Sequence, residues 1–208
     1  MGKVLGLRCV ACAKETRLDP VRYVCPSCSG NLQVVYDYKL IKRSLTRGTL
    51  ERDPNRSIWR YWDLLPLQDR RRVPVPQVGW TPLYDAPRLA RGLGLKRLWV
   101  KDDGRGPSAS FKDRANAVVL SRALELKATV VTTASTGNAA SSLACLAAGL
   151  PVRSVIFLPE TAPEAKIAQL LVFGAVVFAV RGSYDDAFDL CAQAAAEYGW
   201  YNRSTGFN

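Results

Sequence analysis

Histidine is absent from the 208 residues. That removes histidine-based triads, histidine metal ligands and a histidine general base, so any proton transfer falls to lysine, tyrosine, cysteine, a carboxylate or the substrate itself. No run approaches the roughly 18 consecutive apolar residues that a membrane helix needs. The opening Met1-Gly2-Lys3-Val4-Leu5 leads straight to cysteines without the apolar core of a signal peptide. The expected compartment is the cytoplasm, with no membrane partner. Acidic residues are also few, 18 against 29 Lys and Arg, for a net charge of +11. The excess is uneven, with 15 basic against 7 acidic side chains in residues 1–78 and 14 against 11 in residues 79–208. Such an excess attracts nucleic acid, acidic membrane or phosphorylated ligands without choosing among them, and a solvated basic surface is the plainer account of it. With 48% apolar and 23% charged residues the composition is that of a folded protein with a packed core.

Against these absences stand six cysteines, four of them in two C-x-x-C pairs, Cys9-Val10-Ala11-Cys12 and Cys25-Pro26-Ser27-Cys28. Each pair can offer two thiolates from one tight turn, and two such turns face to face make a closed S4 site suited to structural Zn²⁺. Disulfides or a redox role are the alternatives, and a reducing compartment disfavours them. A ribbon over residues 1–35 has too few apolar side chains to fold on its own core, so metal binding supplies the missing free energy. Cys145 and Cys191 lie far off in Ala-rich helical contexts and read as small buried apolar side chains.

Residues 36–78 read as a basic linker. It contains one short helix from Ser57, capped by that serine with Ile58, Tyr61, Trp62 and Leu65 on one face, and a Pro-punctuated stretch from Pro66 to Pro76. From Arg97 the pattern alternates. Strands are expected at 97–101, 129–133, 152–158 and 175–180, and helices at 112–127, 138–148, 163–173 and 184–198. That is the signature of parallel strands joined by crossover helices, buried on both faces, with functional groups at the strands' carboxyl ends. Two loops leave such ends. One, Asp102 to Lys112, is rich in small residues and delivers Lys112 to the first turn of a helix. There the helix's positive end disfavours an ammonium and favours the neutral amine of a Schiff-base lysine. The other, Ala134-Ser135-Thr136-Gly137-Asn138, opens a helix, where backbone N–H groups favour an anion; plain N-capping is the alternative reading.

At these residues the chain resembles the threonine synthases, pyridoxal-phosphate enzymes of the tryptophan synthase β-like fold (fold type II). The resemblance rests on the four-cysteine ribbon, Gly79-Trp80-Thr81-Pro82-Leu83, Val100-Lys101-Asp102-Asp103, Ser110-Phe111-Lys112-Asp113-Arg114, Ser135-Thr136-Gly137-Asn138 and Tyr201-Asn202. It implies that Lys112 is the covalent anchor of pyridoxal 5'-phosphate and that Asn138 bonds the cofactor's phenolic oxygen. It also implies that Ser135, Thr136 and Gly137 help hold the carboxylate of O-phosphohomoserine, which is converted with water to threonine and phosphate. Family members run beyond position 208 and carry a glycine-rich phosphate loop there. The chain, ending at Ser204-Thr205-Gly206-Phe207-Asn208, is accordingly expected to be an N-terminal portion: ribbon, start of the large domain and small domain over 79–208. Alone it is expected to bind cofactor weakly and turn over little. The full-length form is expected to be a homodimer.

Threonine dehydratase, cysteine synthase and cysteate synthase share the scaffold. The ribbon disfavours the first two, and cysteate synthase stays close. A non-catalytic homologue and a zinc-ribbon nucleic-acid binder using Arg70-Arg71-Arg72 are the readings from other classes. Nothing in the latter requires residues 97–200.

Overall fold

The computed structural model describes residues 3–19, 22–73 and 77–204. The first layer is a small antiparallel sheet of β1 (Val4–Cys9), β2 (Glu15–Thr16) and β3 (Leu32–Tyr36), in the order β2-β1-β3. Its interior is little more than Leu7, Cys9 and Cys25, so two of the four cysteines sit where a larger domain would place apolar side chains, while Cys12 and Cys28 are exposed.

Two short helices follow, α1 (Tyr38–Ser44) and α2 (Arg47–Arg52). Asp37 caps the first by accepting the Leu40 amide at 2.9 Å, and Thr46 caps the second within a reciprocal box with Thr49. Sequence periodicity does not reveal helices this brief, and the cap residues were their only signal. The helix expected from Ser57 forms as a kinked 3₁₀ helix, Ile58–Leu64, with Ser57 accepting the Trp59 amide. A three-residue period lines up Trp59, Trp62 and Leu65 toward the core and leaves Tyr61 43% exposed. The expected face is therefore corrected at Tyr61. The two tryptophan rings pack 6.2 Å apart, a packing role as expected. Of the Pro-punctuated stretch, Pro74 to Pro76 lie outside the described residues.

Next come β4 (Leu83–Asp85), α3 (Pro87–Gly92) and β5 (Trp99–Lys101). β5 was expected among the parallel strands, but it pairs antiparallel with β4, and all six residues of the pair are exposed. At three residues the β5 run is too short to show whether it belongs to a buried sheet.

The main unit is α4 (Lys112–Glu125), β6 (Val130–Ala134), α5 (Asn138–Ala147), β7 (Arg153–Pro159), α6 (Glu164–Val172), β8 (Val176–Val180), α7 (Tyr184–Tyr198) and β9 (Tyr201–Asn202). All four strands are parallel, in the order β8-β7-β6-β9. Val131, Ile156 and Leu158 face Leu120, Leu143 and Leu170 of α4, α5 and α6, while Val130, Val155 and Phe157 face Ala187, Cys191 and Ala194 of α7. β6 and β7 are buried on both faces as expected, but the edge strand β8 is largely exposed. The chain steps outward from β6 to β8, then returns to the far side of β6 as β9. The sheet's switch point thus lies between β6 and β9, and its crevice opens at their carboxyl ends.

The ribbon is pinned to this sheet. Tyr23, between the two cysteine pairs, packs its ring 6.2 Å from Tyr201 and accepts the Asn202 amide. Among the described residues no helix is long and apolar enough to cross a membrane.

Candidate active site

α4 begins at Lys112, as expected, and what fixes it there is the residue after it. Asp113 is 1% exposed and accepts three donors: the Ser108 amide at 2.9 Å, the Ser108 hydroxyl, and the Ser142 hydroxyl of α5 at 2.6 Å. Gly106 is required for this, because a Cβ there would lie 2.6 Å from Asp113 Oδ2. One turn further, Asn116 donates to the Ala139 carbonyl at 3.1 Å. The starts of α4 and α5 are thereby joined twice, and each bond has a candidate residue next to it, Lys112 beside Asp113 and Asn138 beside Ala139. Lys112 is half-buried, with its Nζ 4.7 Å from the Phe111 ring centre.

The loop after β6 keeps its polar groups available. Ser135 is held by its amide to the Phe157 carbonyl, and its hydroxyl accepts the Gly137 amide at 3.2 Å. No side chain caps α5, so the plain-capping reading of Ser-Thr-Gly-Asn does not hold, and the first-turn amides keep their capacity for an anion. The space in front of Gly137 is open, since a Cβ there would meet nothing within 4 Å. Asn138 is exposed and accepts Lys166 at 3.4 Å. Thr136 lies half-buried between them. The structure thus brings Lys112, Ser135, Thr136, Gly137 and Asn138 to neighbouring helix starts at the carboxyl end of the sheet.

Sequence reasoning missed the support of this site. Arg114 grips Asp103 through two bonds of 2.9 and 2.8 Å, Thr81 donates to Asp103 at 2.5 Å, and Lys101 reaches the Thr81 carbonyl. Held by Arg114 and then Thr81, the Asp103 carboxyl is pulled down to about 2. Residues from three separate motifs are thus one network. A bidentate Arg–carboxylate pair across 11 residues has no sequence pattern of its own.

Cys9, Cys12, Cys25 and Cys28 converge, with all four sulfurs within 4.8 Å of one another. Cys9 to Cys28 is 3.5 Å and Cys12 to Cys25 is 3.7 Å. Disulfides need roughly 2 Å, whereas four sulfurs around one Zn²⁺ at roughly 2.3 Å lie close to 3.8 Å apart. The Ser27 amide, chief among the donors to Cys25, pulls that thiol down to about 6. Although the Gly30 amide favours the Cys28 thiolate, the sulfurs of Cys12 and Cys9 push Cys28 up to about 12. Four thiolates this close need a cation between them, so the residues present fit a metal. Cys191 is fully buried, as expected, but Cys145 is only half-buried, with its thiol 3.7 Å from the Pro107 carbonyl.

The family model for the pyridoxal-phosphate dependent enzymes matches residues 75–208. The chain belongs to that family. Among curated relatives, the threonine synthase of Methanocaldococcus jannaschii is 40% identical over 191 residues, 91% of this chain and 47% of that protein. The threonine synthase of Methanosarcina acetivorans is 42% identical over 193 residues, 90% of this chain and 46% of that protein. The chain therefore spans about half the length of these relatives. Among solved structures, the diaminopropionate ammonia lyase of Escherichia coli superposes with a TM-score of 0.55 at 26% identity, over 60% of this chain and 36% of that one. The tryptophan synthase β-like expectation is thus met for the fold, and the pyridoxal-phosphate expectation for the family.

Proposed function

We propose that the chain carries the lysine-bearing part of a threonine synthase acting on O-phosphohomoserine. What supports this reading is the double junction of α4 and α5, which ties the helix that begins at Lys112 to the helix that follows the uncapped loop 135–137. The names of the relatives supply the substrate. When bound, pyridoxal phosphate supplies the electron sink for carbanion chemistry. Lys112 is its anchor and, once its amine is free, moves protons at Cα and Cβ of the substrate. Ser135, Thr136 and Gly137 orient the substrate carboxylate at the start of α5, and Asn138 donates to the cofactor's phenolic oxygen. Phosphate leaves from Cγ and water adds at Cβ. The three-part division into ribbon, basic linker and catalytic region belongs to the same reading, as do the homodimer and the cytoplasmic location. So does one structural Zn²⁺ on Cys9, Cys12, Cys25 and Cys28. With four protein ligands it has no open position and takes no part in the chemistry.

The test is reconstitution of the chain, and of the longer protein containing it, with pyridoxal phosphate and zinc. A visible band of lysine-bound cofactor is expected that Lys112→Ala abolishes. Threonine is expected from O-phosphohomoserine with the longer protein, and far less from the chain alone. Formation of cysteate and phosphate from O-phosphoserine and added sulfite would favour cysteate synthase instead. A persistent band in Lys112→Ala sinks the assignment of the anchor.

A further inference from the structure

The loop that opens α5 leaves the sheet through Ala134, the last residue of β6, and that residue is gripped from two directions. On the β7 side the Phe157 carbonyl accepts the Ser135 amide at 3.1 Å. On the β9 side the Thr132 carbonyl accepts the Arg203 amide at 2.9 Å, and there the backbone ladder ends among the described residues. Ala134 lies one step beyond it and is 3% exposed, so its amide and carbonyl both need partners. Side chains supply them. The Ser204 hydroxyl accepts the Ala134 amide at 3.1 Å, and the Tyr184 hydroxyl donates to the Ala134 carbonyl at 3.1 Å. Ser135, Thr136 and Gly137 follow directly.

Both hydroxyls are themselves held in place. Ser204 is 1% exposed, its own amide donates to Asn202 Oδ1 at 2.8 Å, and the Cys191 sulfur lies 3.9 Å from its hydroxyl. Tyr184 is the first residue of α7, directly after a capping box in which the Ser183 amide and hydroxyl bond the Asp186 carboxylate at 2.7 and 2.8 Å. A Cβ on Gly182 would lie 2.5 Å from that carboxylate, so the turn into Tyr184 is fixed as well. The Tyr184 ring packs 6.5 Å from Phe188, one turn along α7. Two fixed side chains from separate elements thus meet at one residue, at the point where the loop begins.

We propose that Tyr184 and Ser204 are positioning residues of the candidate active site. By holding both backbone groups of Ala134, they aim the amides of Ser135–Gly137 and of the first turn of α5 at the carboxylate of the substrate. Donors that stabilise an anion work only when held close to the productive geometry before it arrives. This inference rests on the reading of loop 135–137 as the carboxylate holder. Its consequence is selective, because the clamp acts through β6, whereas the cofactor's anchor Lys112 is delivered by α4. Loss of either hydroxyl should therefore weaken the hold on the carboxylate and spare the bond to the cofactor.

The experiment compares the longer protein containing the chain, loaded with zinc and pyridoxal phosphate, with its Tyr184→Phe and Ser204→Ala variants. The visible cofactor band is titrated with O-phosphohomoserine and with aminopropyl phosphate, the same molecule without its carboxylate. Amide hydrogen exchange over residues 134–137 is measured without ligand. Both variants should keep the parent's band and bind O-phosphohomoserine about tenfold more weakly, the equivalent of one hydrogen bond. Their affinity for aminopropyl phosphate should change by less than about twofold, and the amides of 134–137 should exchange about tenfold faster. Tyr184→Phe keeps the ring of a side chain that is 45% exposed, so it decides the matter even where the buried Ser204→Ala fails to fold. Equal weakening of the two ligands would mark a general loss of packing and overturn the positioning role. Unchanged exchange, or parent-like affinity for O-phosphohomoserine in the variants, overturns it too and leaves the enzymatic reading standing. A parent that binds aminopropyl phosphate as tightly as O-phosphohomoserine sinks the carboxylate role of the loop and this inference together.

Discussion

The phenolic oxygen of Tyr23 accepts the backbone amide of Asn202 at 3.1 Å, joining the cysteine ribbon to the last strand of the parallel sheet. That strand flanks the candidate site, for two residues later the Ser204 hydroxyl accepts the Ala134 amide at 3.1 Å, immediately before Ser135. Tyr23→Phe leaves the Asn202 amide without its acceptor and should destabilise the chain by about 1–3 kcal/mol. Burial pushes the Tyr23 hydroxyl up to about 12. A raised acid favours the folded state below its unfolded value near 10. Its contribution should therefore be intact at neutral pH and drain away between pH 10 and about 12. Urea midpoints across that window should fall less steeply in Tyr23→Phe than in the parent. Equal slopes would sink the assignment of this linkage to Tyr23.

Both cysteine turns end alike. The Ala13 amide bonds the Cys9 carbonyl, the Ser29 amide bonds the Cys25 carbonyl, and the two residues have φ of 58° and 56°. Left-handed backbone costs a residue with a Cβ about 1 kcal/mol relative to glycine. Ala13→Gly and Ser29→Gly should each stabilise the metal-loaded ribbon by up to about 1 kcal/mol and together by nearly twice that. Competition against a zinc-binding dye should show correspondingly tighter retention. Gly30 is the contrary case, because a Cβ there would meet Cys9 Sγ and Ala11 Cβ at 3.0 Å. Gly30→Ala should loosen the site.

The residues that could be read from sequence were those whose chemistry follows local spacing. The C-x-x-C pairs predict their own convergence, and Lys112 and the Ser135–Asn138 loop stand where the period changes from strand to helix. The helices from Lys112 onward were legible because each is long enough to show a repeating apolar face. α1 and α2 were not, since six or seven residues make barely two turns. The antiparallel pairing of β5 with β4 was hidden because pairing partners are a property of the whole chain. The same holds for the Asp103–Arg114–Thr81 network, and for Ala134 beside Ser204, whose meeting depends on β9 returning to the far side of β6.

Asp113 shows what that non-local support contributes. In Asp113→Ala the Ser108 amide and hydroxyl and the Ser142 hydroxyl lose their acceptor together, a loss of about 2–4 kcal/mol. Ser142→Ala removes only one of the three bonds and should cost about 1 kcal/mol. The larger loss should come with weaker retention of pyridoxal phosphate, since this carboxylate joins the turn delivering Lys112 to α5. Gly106→Ala should resemble Asp113→Ala more than an ordinary loop substitution, because its Cβ would meet the same carboxylate at 2.6 Å. Equilibrium unfolding combined with cofactor absorbance separates the two effects. Full cofactor retention in a folded Asp113→Ala would overturn the anchoring role.

Asp103 sets the behaviour in acid. Its carboxyl, held by Arg114 and then by Thr81, is depressed to about 2. A depressed carboxyl favours the folded state above its unfolded value near 4, and that contribution is lost as pH falls from there toward the folded value. The parent should accordingly lose stability between about pH 4 and pH 2 through this group. Asp103→Asn keeps a hydrogen-bonding oxygen for Thr81 but forfeits the charge facing Arg114, so it should be less stable at neutral pH and lose less on acidification. Side-chain exposure of 24% for Asp103 and 36% for Arg114 lets solvent screen the pair, which limits the difference and makes it shrink with added salt. Asp69, depressed to about 2 chiefly by Arg71, titrates in the same window and is the control, because its amide bonds Glu125 at the opposite end of α4 from Lys112. Asp69→Asn should flatten the acid limb of stability while leaving cofactor binding unchanged, whereas Asp103→Asn should flatten it and weaken cofactor binding together. Identical cofactor affinity in the two variants would show that the network beneath Lys112 supports the fold and not the site.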